Sequence, residues 1–301
     1  MFNISQCIDG IKLGDNRSIA QSLTCVENEL AGSEELLMQL VPNPNTKVVG
    51  ITGPPGAGKS SLLNALLKML VSQQKRVAIL SIDPSSPFNF GALLGDRVRM
   101  AEFYLHPSVF IRSVASRGSL GGLNAKVIEM VDVLKASTFD YVFVETVGVG
   151  QSEVEIAGIA DTTIVVMVPE AGDEIQVLKA GVMEIADIFV VNKSDRNNAD
   201  QFVQNLIYLA HTKMNEWEIP VIKSIATQDV GIAELIEKIE AHQQLIQQFS
   251  ERKIHLLVEK TFQLIQQKKM KNVVKQDLFQ VISNQVKENC FNMYQFVQTY
   301  I

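Results

Sequence analysis

The residues with the clearest chemical potential form the run Gly53-Pro54-Pro55-Gly56-Ala57-Gly58-Lys59-Ser60. Their spacing is G-x-x-x-x-G-K-[ST], the pattern of a loop that cradles phosphate. Its glycines let the backbone turn so that successive N–H groups point inward at an anion. An apolar run, Val48–Thr52, precedes it, and an apolar-periodic stretch from Ser60 to Leu70 follows. The loop therefore opens a helix, whose N-terminus adds partial positive charge. Lys59 is placed to reach the β- and γ-phosphates and to serve catalysis, and the Ser60 hydroxyl to ligate Mg²⁺, with Ser61 beside it in the nucleotide-binding set. A chance glycine-rich turn would match in a chain this long about once in a hundred, and the strand–loop–helix context lowers those odds.

A second constellation, Asn192-Lys193-Ser194-Asp195, follows the apolar run Asp187–Val191 and reads N-K-x-D. An aspartate accepts two hydrogen bonds from the N1–H and 2-amino group of guanine, a donor pair that adenine lacks. The substrate expected is therefore GTP, with GDP as product. The tetrapeptide alone is a weak signal; at a strand end far downstream of a phosphate loop it is a strong one. Ser224-Ile225-Ala226 ends the next strand. It is either a loop of the S-A-x type that packs against guanine or an ordinary polar turn.

Two acidic residues end predicted strands at the same edge as the phosphate loop: Asp83 after Arg76–Ile82, and Glu145 after Tyr141–Val144. In a parallel α/β sheet these C-terminal strand ends line the ligand crevice. A carboxylate there binds Mg²⁺, directly or through water, or orients the attacking water. For Asp83 the other reading is a turn or cap before Pro84. Gly148 can bring a backbone N–H to the γ-phosphate, so its loop could sense the nucleotide state. Ras-like GTPases place a water-orienting Gln directly after the corresponding glycine. Here that position is Val149 and the nearest Gln is Gln151, which predicts slow unassisted hydrolysis and dependence on a partner.

The elements that must position these groups are legible in outline. The chain has 301 residues, 47% hydrophobic and 20% charged, which is globular composition. Residues 1–40 read as amphipathic helix, with Ile19, Leu23, Val26 and Leu30 on one face. Val41 to Thr46, with two prolines, reads as a linker. Apolar strands then alternate with helical stretches: Lys47–Thr52, Arg76–Ile82, Val109–Val114, Tyr141–Glu145, Thr162–Val168, Asp187–Val191 and Pro220–Ile225. They show little polar alternation, as expected of strands buried on both faces. The fold class is α/β, a P-loop NTPase with a mostly parallel sheet flanked by helices, plus helical extensions. The expected organisation is an N-terminal helical extension over residues 1–42, a G domain over 43–246 and a C-terminal helical arm over 247–301.

The net charge of −6 gives no sign of nucleic-acid binding, and Lys268, Lys269 and Lys271 read as a solvated helix end. Cys7, Cys25 and Cys290 lack the spacing of a zinc site or a disulfide framework and read as reduced, buried thiols. The four histidines are scattered. No apolar run reaches the roughly 18 to 20 residues needed to cross a bilayer, and no signal peptide begins the chain, so the expected place is the cytoplasm.

Taken together, GPPGAGKS (53–60), DPSSP (83–87), GALLGDRVRM (91–100), RGSLGGLN (117–124), ETVGVGQSE (145–153), PEAGDE (169–174) and NKSD (192–195) resemble the SIMIBI class of P-loop GTPases. The likeness is greatest to the MeaB/ArgK type associated with methylmalonyl-CoA mutase. It covers about residues 47 to 235 and reaches the N-terminal helices through Gly14-Asp15. The resemblance implies a homodimer, with the C-terminal helices as its arm. It also implies a chaperone that binds an adenosylcobalamin-dependent mutase, gates cofactor loading and protects the enzyme; cobalamin belongs to that partner. It places Asp83, Asp96 and Glu145 in the Mg²⁺ and switch region, and Gly172–Gly181 as a third switch in which Lys179 aids hydrolysis. On the residues alone, Lys179 is an exposed helix lysine. Where the family usually reads Gln-Gly-Ile-Lys and a second basic residue, this chain has Gln176-Val177-Leu178-Lys179-Ala180, a stiffer and less charged segment. Related GTPases that deliver metals often carry His-rich or Cys-rich segments, which this chain lacks.

Two other classes share the phosphate loop. A phosphotransferase would need an acceptor pocket, with Arg97, Arg99, Arg112 or Arg117 supplying charge, and a scaffold would bind nucleotide without turnover. The N-K-x-D run fits guanine reading better than a kinase, and phosphate release distinguishes a GTPase from a scaffold.

Overall fold

The computed structural model describes residues 3–83, 100–115, 126–146, 155–169, 182–210, 217–248, 250–270, 273–287 and 291–298. The chain divides into two compact units, Met1–Leu256 and Leu257–Ile301.

The first unit opens with α1 (Ile4–Leu13), α2 (Asn16–Glu27) and α3 (Ser33–Gln39). The Gly14-Asp15 pair makes the first corner. Gly14 ends α1 in the left-handed region at φ 74°, and Asp15 caps α2 by accepting from the Ser18 N–H at 2.8 Å. Ile19, Leu23 and Val26 are buried as their spacing predicts. Leu30 is not: it lies past the end of α2 and is 50% exposed, because helical periodicity stops with the helix.

Seven strands follow: β1 (Lys47–Thr52), β2 (Val77–Asp83), β3 (Val109–Ala115), β4 (Tyr141–Glu145), β5 (Thr162–Met167), β6 (Ile188–Val191) and β7 (Val221–Lys223). They form one sheet in the order β3-β2-β4-β1-β5-β6-β7, and every pairing is parallel. Each expected strand is present, with its ends moved by up to a few residues. The largest change is at β7, where pairing stops at Lys223 and Ser224 begins a turn.

Helices α4 (Lys59–Ser72), α5 (Val127–Lys135), α6 (Val182–Ile185), α7 (Ala199–Ala210) and α8 (Ile232–Gln248) belong to this unit, which ends at Leu256 inside a further helix. Adjacent strand residues feed two different cores. Ile164 and Val190 pack with Leu62 and Leu66 of α4 and Leu235 of α8, whereas Val165, Phe189 and Val191 pack with Phe202 and Leu206 of α7. This two-sided burial explains the missing polar alternation. The N-terminal helices dock on the same unit through Arg112–Glu27 at 2.6 Å, Lys126–Glu29 at 2.9 Å and Arg76 to the Gly14 carbonyl at 2.9 Å.

The end of the sheet opposite the phosphate loop is pinned by polar contacts to α8. The Tyr141 hydroxyl donates to Glu240 Oε1 at 2.7 Å, and Lys47 reaches the same oxygen at 3.1 Å. The Tyr141 bond and then Lys47 hold the Glu240 carboxyl below its ordinary range, against the effect of partial burial. Burial, with Glu240 adding to it, pushes the Tyr141 phenol far up. Next to it, His242 is fully buried between Thr162 Oγ1 at 2.9 Å and Asp187 Oδ1 at 3.3 Å.

The second unit contains the remainder of α9 (Ser250–Met270), then α10 (Lys275–Lys287) and α11 (Met293–Gln298). Phe262, Phe279 and Tyr294 are 55%, 73% and 77% exposed, and α10 and α11 contain no buried residue among those described. Cys7 and Cys25 are free and buried, as expected, and Cys290 lies outside the described residues. No helix among the described residues is long and apolar enough to cross a membrane.

Candidate nucleotide site

The predicted site residues gather because parallel strands all end at one edge of the sheet. The central strand β1 ends at Thr52 and runs into the phosphate loop; β2 ends at Asp83, β4 at Glu145, and β6 one residue before Asn192. The loop has the conformation that its glycines predict. Gly53 sits at φ 139°, and a Cβ built on it would lie 2.1 Å from the Val166 carbonyl oxygen. Gly58 sits at φ 89°, where a Cβ would meet Asn192 Nδ2 at 2.4 Å. Helix α4 begins at Lys59, and no side chain caps it. Its first N–H groups and its dipole are therefore directed toward the loop, as an anion requires.

Lys59 is only 7% exposed, and its ammonium donates to the carbonyls of Gly53 at 2.7 Å and Pro54 at 3.1 Å. The loop's own carbonyls thus hold the charge inside the cradle, where phosphate oxygens are stronger acceptors. Ser60 Oγ donates to Glu145 Oε1 at 2.7 Å, and both residues are buried. Ser81 Oγ donates to the other carboxylate oxygen, Oε2, at 3.3 Å. At the root of the loop, Thr146 Oγ1 donates to Thr52 Oγ1 at 3.0 Å, and the Thr146 N–H to the Ile51 carbonyl at 3.0 Å. The start of the 145–153 segment is thereby fixed to the strand that carries the phosphate loop.

Across the loop, Asn192 is the junction. Its Nδ2 donates to the Ala57 carbonyl at 2.9 Å, while Oδ1 accepts from Ser224 Oγ and the Ala226 N–H, both at 3.2 Å. The orientation of the amide follows from its partners, since only an oxygen can accept from an N–H. Lys193, at φ 56°, donates from Nζ to the Gly56 carbonyl at 2.8 Å. Ser224 is fully buried, and its carbonyl accepts from the Ser194 N–H at 3.0 Å. The Ser224-Ile225-Ala226 turn is therefore bonded directly to the N-K-x-D run. Asp195 is exposed and, with Pro169, Arg196, Asn197 and Asn198, lines a pocket of about 430 Å³.

The residues fit Mg²⁺ and a nucleotide. A buried serine hydroxyl beside a carboxylate is the hard-oxygen donor set that Mg²⁺ takes alongside phosphate oxygens and water. Among the described residues no group of three or more His, Cys, Asp or Glu could hold a metal by itself. A Cβ on Gly56 would meet nothing within 4 Å, so the cradle is open on that side. Asp83 is described by its backbone, which closes β2. Asp96, Gly148, Val149, Gln151 and the 172–181 segment with Val177, Lys179 and Ala180 lie outside the described residues.

Sequence reasoning missed three features: the Asn192 bond to the phosphate loop, the Thr52–Thr146 pair, and Ser81. For Ser81 a signal existed, a lone serine inside the apolar strand Val77–Ile82 and two residues before Asp83.

A parallel sheet with the phosphate loop on its central strand and an N-K-x-D run joined to that loop is the architecture of a P-loop GTPase of the SIMIBI class. The chain belongs to the family described as methylmalonyl Co-A mutase-associated GTPase MeaB, whose family model matches residues 19–285. It is 48% identical over 250 residues to a putative GTPase of Pyrococcus abyssi, covering 81% of this chain and 77% of that one. To the GTPase ArgK of Escherichia coli it is 37% identical over 243 residues, covering 77% and 73%. To the mitochondrial methylmalonic aciduria type A homolog of Mus musculus it is 33% identical over 254 residues, covering 77% and 61%. Among solved structures, a LAO/AO transport system kinase superposes with a TM-score of 0.72 at 25% identity, covering 100% of this chain and 98% of that one.

Proposed function

We propose that this GTPase is a chaperone for an adenosylcobalamin-dependent acyl-CoA mutase of the methylmalonyl-CoA mutase type, gating cofactor loading and protecting the enzyme in the cytoplasm. The observation that carries the reading is the family match over residues 19–285, under a description that names mutase association. The name of the mouse relative, a methylmalonic aciduria type A homolog, points the same way. Cobalamin enters only through the partner.

Gly53 to Ser61 cradle the phosphates, Asp195 reads guanine, and Asn192, Lys193 and the Ser224–Ala226 turn hold the base-reading loop against the cradle. Lys59 neutralises the β- and γ-phosphate oxygens as charge shifts to the leaving group. Ser60 and Glu145, with Asp83 and Asp96 from neighbouring segments, would hold Mg²⁺, which when bound draws charge from the β- and γ-oxygens. Glu145 also stands where it can orient water. Val149 in place of a water-orienting glutamine makes the unassisted reaction slow, and the client completes the site through Gly148 and Lys179.

The second unit is the arm of a homodimer. Its helices leave Phe262, Phe279 and Tyr294 more than half exposed, apolar surface that a second copy would bury.

The test is GTP hydrolysis with and without a purified adenosylcobalamin-dependent mutase from the same source. The expected result is a low basal rate that rises by at least roughly tenfold, about 1.4 kcal/mol of barrier. An unchanged rate with no complex formed would overturn the chaperone role. Transfer of labelled phosphate to a third molecule instead of water would identify a kinase.

A further inference from the structure

Glu145 has a role in this reading, whereas Ser81 has none, although it is as deeply buried, at 3% exposure against 4%. The parallel pairing of β2 with β4 sets Ser81 in direct register with Glu145. Register partners on adjacent strands project to the same face about 5 Å apart. That spacing lets the Ser81 hydroxyl donate to Glu145 Oε2 at 3.3 Å while Ser60 Oγ donates to Oε1 at 2.7 Å. The last torsion of a glutamate is broad and roughly two-fold. A hydroxyl on each oxygen removes that freedom and fixes the plane of the carboxylate.

We propose that Ser81 is a positioning residue of the GTPase site: it holds Glu145 Oε2 from the neighbouring strand so that Oε1 stays turned to Ser60 and the Mg²⁺ side of the phosphate cradle. The inference rests on the reading of Glu145 as the carboxylate of that site. In this role Ser81 acts through Glu145 and not on the nucleotide or the metal directly. A serine present only for packing would influence stability and leave the metal response alone.

The experiment uses the full chain and follows thermal stabilisation by a non-hydrolysable GTP analogue as Mg²⁺ is titrated. Ser81→Ala is expected to raise the half-saturating Mg²⁺ concentration by about tenfold, the low end of what outer hydrogen bonds to metal sites contribute. Affinity for the analogue in excess chelator should stay at the parent value, and Ser81→Thr, which keeps the hydroxyl, should return the titration toward the parent. If Ser81→Ala lowers the melting temperature of the bare protein, Ser81→Cys, of similar volume with a weaker donor, must show a shift of the same sign. A parental Mg²⁺ titration for Ser81→Ala, or no rescue by threonine, overturns the inference. Glu145→Gln run in parallel separates the two readings. If it leaves the Mg²⁺ response unchanged, the role of Glu145 fails and that of Ser81 with it. If it shifts the response while Ser81→Ala does not, only the Ser81 inference fails.

Discussion

Asn192 donates from Nδ2 to the Ala57 carbonyl at 2.9 Å, which bonds the N-K-x-D run to the phosphate loop across 135 residues of sequence. The same side chain accepts from Ser224 and Ala226, so one buried amide joins three loops at the strand ends. The phosphate loop and the N-K-x-D run are therefore held at a fixed separation. This is pre-organisation, which lowers the ordering cost of binding.

Asn192→Ala should loosen both loops together. We expect GTP and GDP affinity to fall by roughly tenfold to a hundredfold, and stability to fall by about 2 kcal/mol, since several buried polar groups lose their partner. Isothermal titration and thermal melts measure the two effects. Asn192→Asp should be no milder, because a carboxylate oxygen would then face the Ala57 carbonyl.

Asp195→Asn addresses the base and not the frame. Asp195 is exposed at its pocket, so the fold should be unaffected. The amide presents donors where guanine also donates, and the preference for GTP over ATP should drop by at least about a hundredfold. Competition binding with the two nucleotides gives the ratio. An unchanged ratio would remove Asp195 from the base site.

Gly53 and Gly56 should respond differently to alanine. A Cβ on Gly53 would strike the Val166 carbonyl oxygen at 2.1 Å, backbone that cannot rotate away. Gly53→Ala should cost on the order of 3 kcal/mol and abolish nucleotide binding. Gly56, at φ 76°, has open space around its Cα, so Gly56→Ala should carry only left-handed strain, about 1 kcal/mol. Melting temperatures of the two variants without nucleotide check the order.

The contact at the far end of the sheet is predicted to depend on pH. The Tyr141 bond, and then Lys47, lower the Glu240 carboxyl below its ordinary 4.5. A lowered folded value means that the stabilisation is present above the unfolded value and is lost as pH falls through the folded one. Glu240 is 42% exposed as a side chain, so water screens the pair and the effect should stay below about 1 kcal/mol. Melting curves from neutral pH to about pH 3 should show a smaller acid loss for Glu240→Gln than for the parent.

The phosphate loop, N-K-x-D and the acidic strand ends were legible because each is a local pattern. Glycine spacing sets a backbone path over eight residues, and an apolar run of five or six residues sets a buried strand. The same local logic misplaced Leu30, where the period outran its helix, and carried the last strand past Lys223, where the chain turns.

By itself, the sequence determined the alternation of strands and helices, the phosphate cradle and the likeness to the GTPase family. The tertiary structure decided which distant residues meet. Ser81 faces Glu145 because β2 lies beside β4, and Asn192 reaches Ala57 because β5 and β6 follow β1 in the sheet order β3-β2-β4-β1-β5-β6-β7. Strand order depends on how two hydrophobic cores close over both faces of the sheet, a property of the whole chain that no local spacing encodes.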